Sequence, residues 1–372
     1  MLNWNYSNAA GRWAGFGPYY AMFPVNFARL VVEQMTPKGG SVLDPFCGRG
    51  TAPFIAQATG RASLGIDINP VAWVFAKVKT SPEPSTEKLV NRLDHLQQAV
   101  RPADRKAENE FQKWAWCEEV LGFLNAARRE LDWRENRTDR TLMGFILVNL
   151  HGRLRDGVSN QMQKSRAMGP DYAVRWWKKR KMCPPEIDPC GYFRQRIRWR
   201  YWHGIIERKQ VAEIIRGDSS TFLSGYKNTK FDLLFTSPPY FSVTDYRQDS
   251  WIRLWLLGEG PPLPDWKKDQ RTTRRECYPQ MLFDIFSSAS RLLKPYSVIW
   301  VRTDARAFTK DATLKTLRFL WPWRKLFMRH DCPQKKTQTA HFGNKPSNLG
   351  EIDFVMPGRR SLPPSFSAWE QL

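Results

Sequence analysis

Two short runs far apart in the chain carry side chains suited to complementary halves of one reaction. Asp44-Pro45-Phe46-Cys47-Gly48-Arg49-Gly50-Thr51 reads as a strand end that turns through two glycines into a helix. Such a turn brings backbone N–H groups against a nucleoside cofactor. Gly48 and Gly50 permit close approach of the backbone, and Asp44 at the strand tip can accept hydrogen bonds from a cationic amino group. Asp67 follows 23 residues after Asp44, at the tip of the next strand. That is about the spacing at which an acid reaches ribose hydroxyls in nucleotide-binding sheets. Phe46 and Ile68 would line the pocket.

The second run, Thr236-Ser237-Pro238-Pro239-Tyr240, closes an apolar stretch. An amine conjugated with an aromatic ring is a poor nucleophile because its lone pair is delocalised. The Ser237 hydroxyl and the Pro238 carbonyl can each accept one amine hydrogen, which favours a pyramidal nitrogen as an electrophile approaches. Pro239 stiffens the loop, and Tyr240 offers a ring on which an extruded base would stack. A nicotinamide-binding sheet would need a third glycine in the first run and has no reason to carry the second.

Together these runs resemble the two signatures of the S-adenosylmethionine-dependent DNA methyltransferases that modify exocyclic amines, a Phe-x-Gly-x-Gly run and a Ser/Asp/Asn-Pro-Pro-Tyr run. The likeness covers roughly residues 19 to 80 and 211 to 356. It implies S-adenosylmethionine as cofactor, bound without a metal by Asp44 to Gly48, Gly50 and Thr51, with Asp67, Ile68 and Thr236. It also implies that Asp218, at the third strand tip, contacts the adenine amino group, and that Tyr20 within Tyr19-Tyr20-Ala21-Met22-Phe23-Pro24 belongs to an additional cofactor-binding segment. Ser237, Pro238, Pro239 and Tyr240 become the catalytic run, and the transfer is direct. Serine at its head is more typical of family members acting on cytosine N4. Adenine N6 is the nearest rival, followed by an RNA base, and then by a non-catalytic DNA-binding regulator on the same fold. Double-stranded DNA is the implied partner, and a cognate restriction or defence nuclease a further one.

The elements that must position these residues alternate as in a doubly wound sheet. Strands are expected at 41–44, 62–67, 211–217, 231–236 and 297–302, with antiparallel edge strands at 325–329 and 351–356. The 231–236 segment is mostly apolar on both faces and so central. A helix is expected from Asn69-Pro70 through Val78, and another over 280–293. The stretch from about 80 to 210 is far longer than one crossover helix and interrupts the sheet. Helical apolar spacing over 86–100, 110–131 and 139–154 makes its first half a helical subdomain. The expected fold class is α/β, a Rossmann-like methyltransferase sheet with an antiparallel edge and a mainly helical basic insertion. Residues 1–80 and 211–372 would form the catalytic domain and 81–210 the target-recognition domain. In the alpha arrangement that this motif order resembles, the recognition region follows Asp218; here it precedes it.

Composition agrees with a polyanionic partner. A net charge of +22 on 372 residues and a pI near 9.9 are hard to explain for an enzyme of neutral metabolites, whereas Lys and Arg hold nucleic acid by neutralising phosphates. Residues 161–210 carry thirteen Lys/Arg against four Asp/Glu. Within them Phe193 to Tyr201 places Arg194, Arg196, Arg198 and Arg200 at alternate positions. As a strand, this run would point four guanidinium groups along one DNA-tracking face; as a helix, it would scatter them. Six cysteines without Cys-x-x-Cys spacing, no basic-then-apolar leader and no apolar run of the ~18 residues that cross a bilayer predict a cytoplasmic protein with reduced thiols. Pro189-Cys190-Gly191 imitates the nucleophile of enzymes that methylate cytosine at carbon. It sits in the insertion and not after the fourth strand, which makes it structural.

Overall fold

The computed structural model describes residues 6–19, 22–154, 156–163, 167–227, 230–243, 246–260, 270–331, 350–363, 366 and 368–372. The chain forms two compact units. One, built from Tyr20–Ala76, Glu207–Asp245 and Lys268–Leu372, holds every described strand: β1 (Ser41–Asp44), β2 (Ala62–Asp67), β3 (Ala212–Arg216), β4 (Phe231–Thr236), β5 (Leu293–Asp304), β6 (Phe327–Asp331), β7 (Glu351–Met356) and β8 (Glu370–Gln371). Their order is β3-β2-β1-β4-β5-β7-β6-β8. The pairs from β3 to β5 are parallel, and β7, β6 and β8 continue antiparallel. The expected doubly wound α/β sheet is therefore present, with an antiparallel side.

Apolar side chains on both faces explain why β4 is central. Leu234 joins Leu43, Leu64, Ile299 and Phe354 on one side, where Tyr278, Leu282 and Phe286 of the helix Cys277–Ser290 cover them. Phe235 points the other way, as strand alternation requires, and stacks on Phe23 at 4.3 Å. Phe27, on the helix Val25–Met35, meets Trp300 at 5.9 Å on that same side. β5 outruns its expected span at both ends because its end residues, Leu293 and Asp304, are still paired to neighbouring strands. β6 begins two residues later than expected, and β7 matches its expected limits while lying inside the sheet, between β5 and β6.

The other unit, Met1–Tyr19, Lys77–Ile206 and Tyr246–Lys267, is helical over its described residues. Residues 9–14 and 251–256 belong to it because their aromatic and arginine side chains lock into it. Trp13 lies edge-on to Tyr201 at 5.1 Å, Trp251 to Phe111 at 4.8 Å, and Arg253 Nε donates to the Leu147 carbonyl over 3.0 Å. The helix expected over 110–131 is two, Glu110–Ala115 and Glu118–Glu130, because Trp116 and Cys117 are extended. The one expected over 139–154 runs Arg137–Asn149, its first turn fixed by the Asn136 side chain accepting from Asp139 N at 3.1 Å. No helix among the described residues is long and apolar enough to cross a membrane.

The arginine strand is corrected. Pro189–Tyr201 is an α-helix. Asp188 caps it by accepting from Cys190 N and Gly191 N at 3.0 Å, and Pro189 is preset for its first turn. On a helix, alternate residues step about 200° apart, so the four arginines cannot share a face. Phe193 and Ile197 form the buried stripe. Arg194 pairs with Asp94, Arg196 lies 4.8 Å over the Tyr192 ring, and Arg200 is buried with its guanidinium on the Arg12 carbonyl. Arg198 is exposed.

Candidate active site

The chain leaves β1 toward β2 and β3 and then returns to β4 on the opposite side of β1. This reversal opens a crevice at the carboxyl ends of β1 and β4, the usual ligand site of open α/β sheets. Asp44 ends β1 and Thr236 ends β4. Thr236 Oγ1 donates to Asp44 Oδ1 over 2.7 Å, so one buried hydrogen bond joins the two runs. Thr236 is fully buried and its hydroxyl is committed to this bond. Its place is to hold Asp44.

Asp67 organises the turn after β1. Its Oδ2 accepts from Gly48 N and its Oδ1 from Asn69 N, each at 2.8 Å, while Phe46 N donates to Asp44 Oδ1 at 3.2 Å. Gly48 and Gly50 have φ of +52° and +74°. A Cβ on Gly50 would lie 2.7 Å from the Ala76 Cβ, so only glycine lets the helix Thr51–Ala58 start here. Pro45 is held through its carbonyl by the Ser219 hydroxyl, and Cys47 is buried with its N–H on the Ile66 carbonyl at 3.0 Å. Ile68 is 52% exposed and Phe46 half-buried, giving the crevice an apolar rim.

The electrostatics favour a cationic ligand. Burial pushes Asp44 up to about 7, against its bonds from Thr236 and Phe46 and with added repulsion from Asp67. Burial likewise pushes Asp67 up to about 6, against its bonds from Asn69 N and Gly48 N. Two acids reluctant to ionise are relieved by a positive charge placed between them. The Thr51 hydroxyl, buried without a hydrogen-bond partner among the described residues, adds an unsatisfied polar atom at the helix start.

Asp218 caps the helix Ser219–Gly225, accepts from Ser220 N at 3.0 Å and pairs with Arg271. Burial alone would raise its pKa, but the bonds from Ser220 and Arg271 bring it below the ordinary carboxylate value. Its oxygens already serve the protein, and a contact to an adenine amino group would have to share them. Tyr20 lies outside the described residues.

In the second run Ser237 is half-buried and Pro238 buried, and no described residue donates to the Pro238 carbonyl. Pro239 is fixed by the Tyr278 hydroxyl, which donates to its carbonyl over 3.0 Å. Tyr240 departs from expectation: it is 2% exposed, and its Oη donates to Glu351 Oε1 over 2.8 Å. The stacking face foreseen for this ring is thus closed in the structure, because the carboxylate draws the phenol into the sheet end. Behind Glu351, Arg302 reaches Glu351 Oε2 at 2.9 Å, Asp353 at 2.7 and 2.8 Å, and Asp331 at 2.8 Å. Arg329 and Trp300 also bond to Asp353. None of this network was foreseen from the sequence. Its signal was an arginine at the end of an apolar strand, facing acids two residues apart at 351 and 353.

Comparison with known proteins agrees with this geometry. Residues 2–77, which include the glycine turn and Asp67, match the N6/N4 family model described as DNA methylase. That likeness is of the N-terminal segment. The chain is 43% identical over 53 residues to the type II methyltransferase M.SmaI of Serratia marcescens, a match covering 14% of this chain and 18% of that protein. It is 36% identical over 87 residues to M.MvaI of Kocuria varians, covering 22% and 19%. A longer match to M.BsoBI of Geobacillus stearothermophilus is 23% identical over 263 residues, 62% of this chain and 49% of the relative. The chain thus spans less than a fifth of the length of the first two and about half of the third.

Cys190 lies in the helical unit, at the start of the helix Pro189–Tyr201. It is buried, burial pushes its thiol up to about 11, and its Sγ faces the Leu93 carbonyl at 3.8 Å. The described cysteines are free thiols.

Proposed function

We propose that the chain transfers a methyl group from S-adenosylmethionine to an exocyclic amine of a base in duplex DNA, cytosine N4 in preference to adenine N6. The observation that carries this reading is the Thr236–Asp44 bond, which sets Ser237 next to the acidic crevice at the switch point. Asp44 would hold the cationic amino group of the methionine moiety, Asp67 the ribose hydroxyls, and Ile68 and Phe46 the base. When bound, the cofactor supplies an activated methyl group on a sulfonium. The protein supplies two acceptors, the Ser237 hydroxyl and the Pro238 carbonyl, that tilt the amine lone pair toward that methyl. Serine at position 237 supports the choice of cytosine.

The helical unit would hold the DNA. Its excess of basic side chains, with Arg198 and the 76% exposed Trp202 at the end of one helix, suits phosphate contact beside a stacking ring. A cognate nuclease would complete a restriction or defence pair. Label from methyl-labelled cofactor should pass to duplex DNA and not to RNA of the same sequence, read by acid-insoluble counts. Counts in the RNA alone would move the substrate to the rival class, and counts in neither would remove the activity.

The cofactor seat predicts a pH dependence. Cation binding stabilises the ionised form of Asp44 and lowers its pKa from about 7, so below pH 7 binding must release a proton. Affinity therefore rises from pH 5.5 to 7.5 and then levels. Calorimetry in two buffers of different ionisation enthalpy checks this, and equal heats with a flat affinity would contradict it.

A further inference from the structure

The helix Pro189–Tyr201 turns three of its alternating arginines, Arg194, Arg196 and Arg200, to partners inside its own unit. The helix before it, Pro170–Lys179, does the opposite. Pro170 is preset for its first turn, and its end is closed by Met182 N donating back to the Trp177 carbonyl at 3.1 Å. Ala173, Val174 and Trp177 form its buried stripe. Trp177 anchors it: the indole N–H donates to the Gln161 carbonyl over 2.8 Å, and the ring meets Phe111 at 5.6 Å. Lys178, at the border of the stripe, pairs with Glu110.

Successive residues step about 100° round a helix, so Tyr172, Arg175 and Lys179 stand together on the side opposite that stripe. All three are exposed. Trp176 flanks them with the Arg180 guanidinium 4.1 Å over its ring, and Lys181 follows the last turn. Among the described residues, none of Arg175, Lys179, Arg180 and Lys181 has a carboxylate partner. Four unneutralised cations on a firmly anchored helix complement a polyanion. Ten residues make a rod of about 15 Å, and the major groove of DNA, about 12 Å wide, admits an α-helix. We infer that the helix Pro170–Lys179 enters the major groove of duplex DNA, where Arg175 reads a guanine edge and Lys179, Arg180 and Lys181 hold phosphates. Arg175 stands mid-face, about a turn from Tyr172 and from Lys179, and so meets the groove floor. Its planar fork matches guanine O6 and N7. The other three cations gather at one end of the helix, where a phosphate wall passes, and the Trp176 ring keeps Arg180 extended toward it.

This inference rests on duplex DNA being the partner proposed above, and binding measured without cofactor separates the two. The substituted side chains are exposed, so every variant should keep the wild-type urea midpoint. Lys179→Ala and Arg180→Ala should each weaken binding to duplexes of any sequence and lower the slope of log affinity against log salt by about 0.9. Arg175 is tested on duplexes that the wild-type chain enriches from a random-sequence pool. Arg175→Ala and Arg175→Lys should both lose about fivefold to 150-fold in preference for the enriched site over its scrambled form, with one guanine position becoming degenerate. Replacing that guanine by 7-deazaguanine removes the N7 acceptor and keeps the base pair. It should weaken the wild-type chain and leave Arg175→Ala unchanged. A wild type that binds duplex DNA, with all these variants matching it in affinity, salt slope and enriched site, overturns the inference alone. Losses on an RNA duplex of the same sequence with DNA binding intact would assign the face to RNA and overturn it too. A wild type with no affinity for duplex DNA overturns the partner reading and this inference with it.

Discussion

Ser237→Ala is expected to slow methyl transfer by about 10²- to 10³-fold, the range for one preorganised polar contact that strengthens in the transition state. Alanine keeps the backbone of the run and leaves Thr236, Asp44 and the Pro239 carbonyl bonded as before. Cofactor affinity should therefore stay at the wild-type value, and the loss should fall on kcat with little change in KM. Single-turnover kinetics beside a calorimetric titration check both halves. A variant that keeps its rate would remove Ser237 from the reaction, and one that loses cofactor binding would place it in the wrong half of the site.

The second large effect is on stability. Arg302→Ala leaves Asp353, which is fully buried, with its partners reduced to Arg329 and the Trp300 indole. Removing one partner of such a cluster costs about 3–5 kcal/mol because the remaining charge stays desolvated. Burial opposes the charge on Arg302, yet the attraction of Asp353, Glu351 and Asp331 outweighs it and raises the guanidinium pKa. Urea unfolding should show the loss in the midpoint. Arg329→Ala should lose less, since Arg302 still covers Asp353. Equal losses would mean that Asp353 does not depend on Arg302.

The residues legible in the sequence were those whose role is written in local backbone chemistry. The glycines at 48 and 50 announce positive φ and a tight strand-to-helix turn. The acids at 44 and 67 stand where apolar strands end, and the run 236–240 begins where the most apolar strand stops. Long-range pairing was not legible. That Thr236 serves Asp44, and that Tyr240 belongs to Glu351, depends on β1 and β7 flanking β4 and β5, which no local pattern specifies. The arginine run shows the opposite failure. Alternation at 194, 196, 198 and 200 resembles a strand, but the aspartate and proline at 188 and 189 start a helix, and Phe193 with Ile197 supplies its buried stripe. Capping outranked a period-two pattern because the odd positions are not all apolar enough to fill a sheet face.

The most direct measurement of the central claim is the identity of the modified nucleoside. Duplex DNA incubated with the chain and methyl-labelled S-adenosylmethionine is digested to nucleosides and resolved by mass spectrometry against standards. The account predicts labelled N4-methylcytosine, formed about 10²- to 10³-fold more slowly by Ser237→Ala and at the wild-type rate by Cys190→Ala. Labelled 5-methylcytosine would contradict direct transfer to an amine acceptor-bound by Ser237 and Pro238, and would return Cys190 to consideration as a nucleophile.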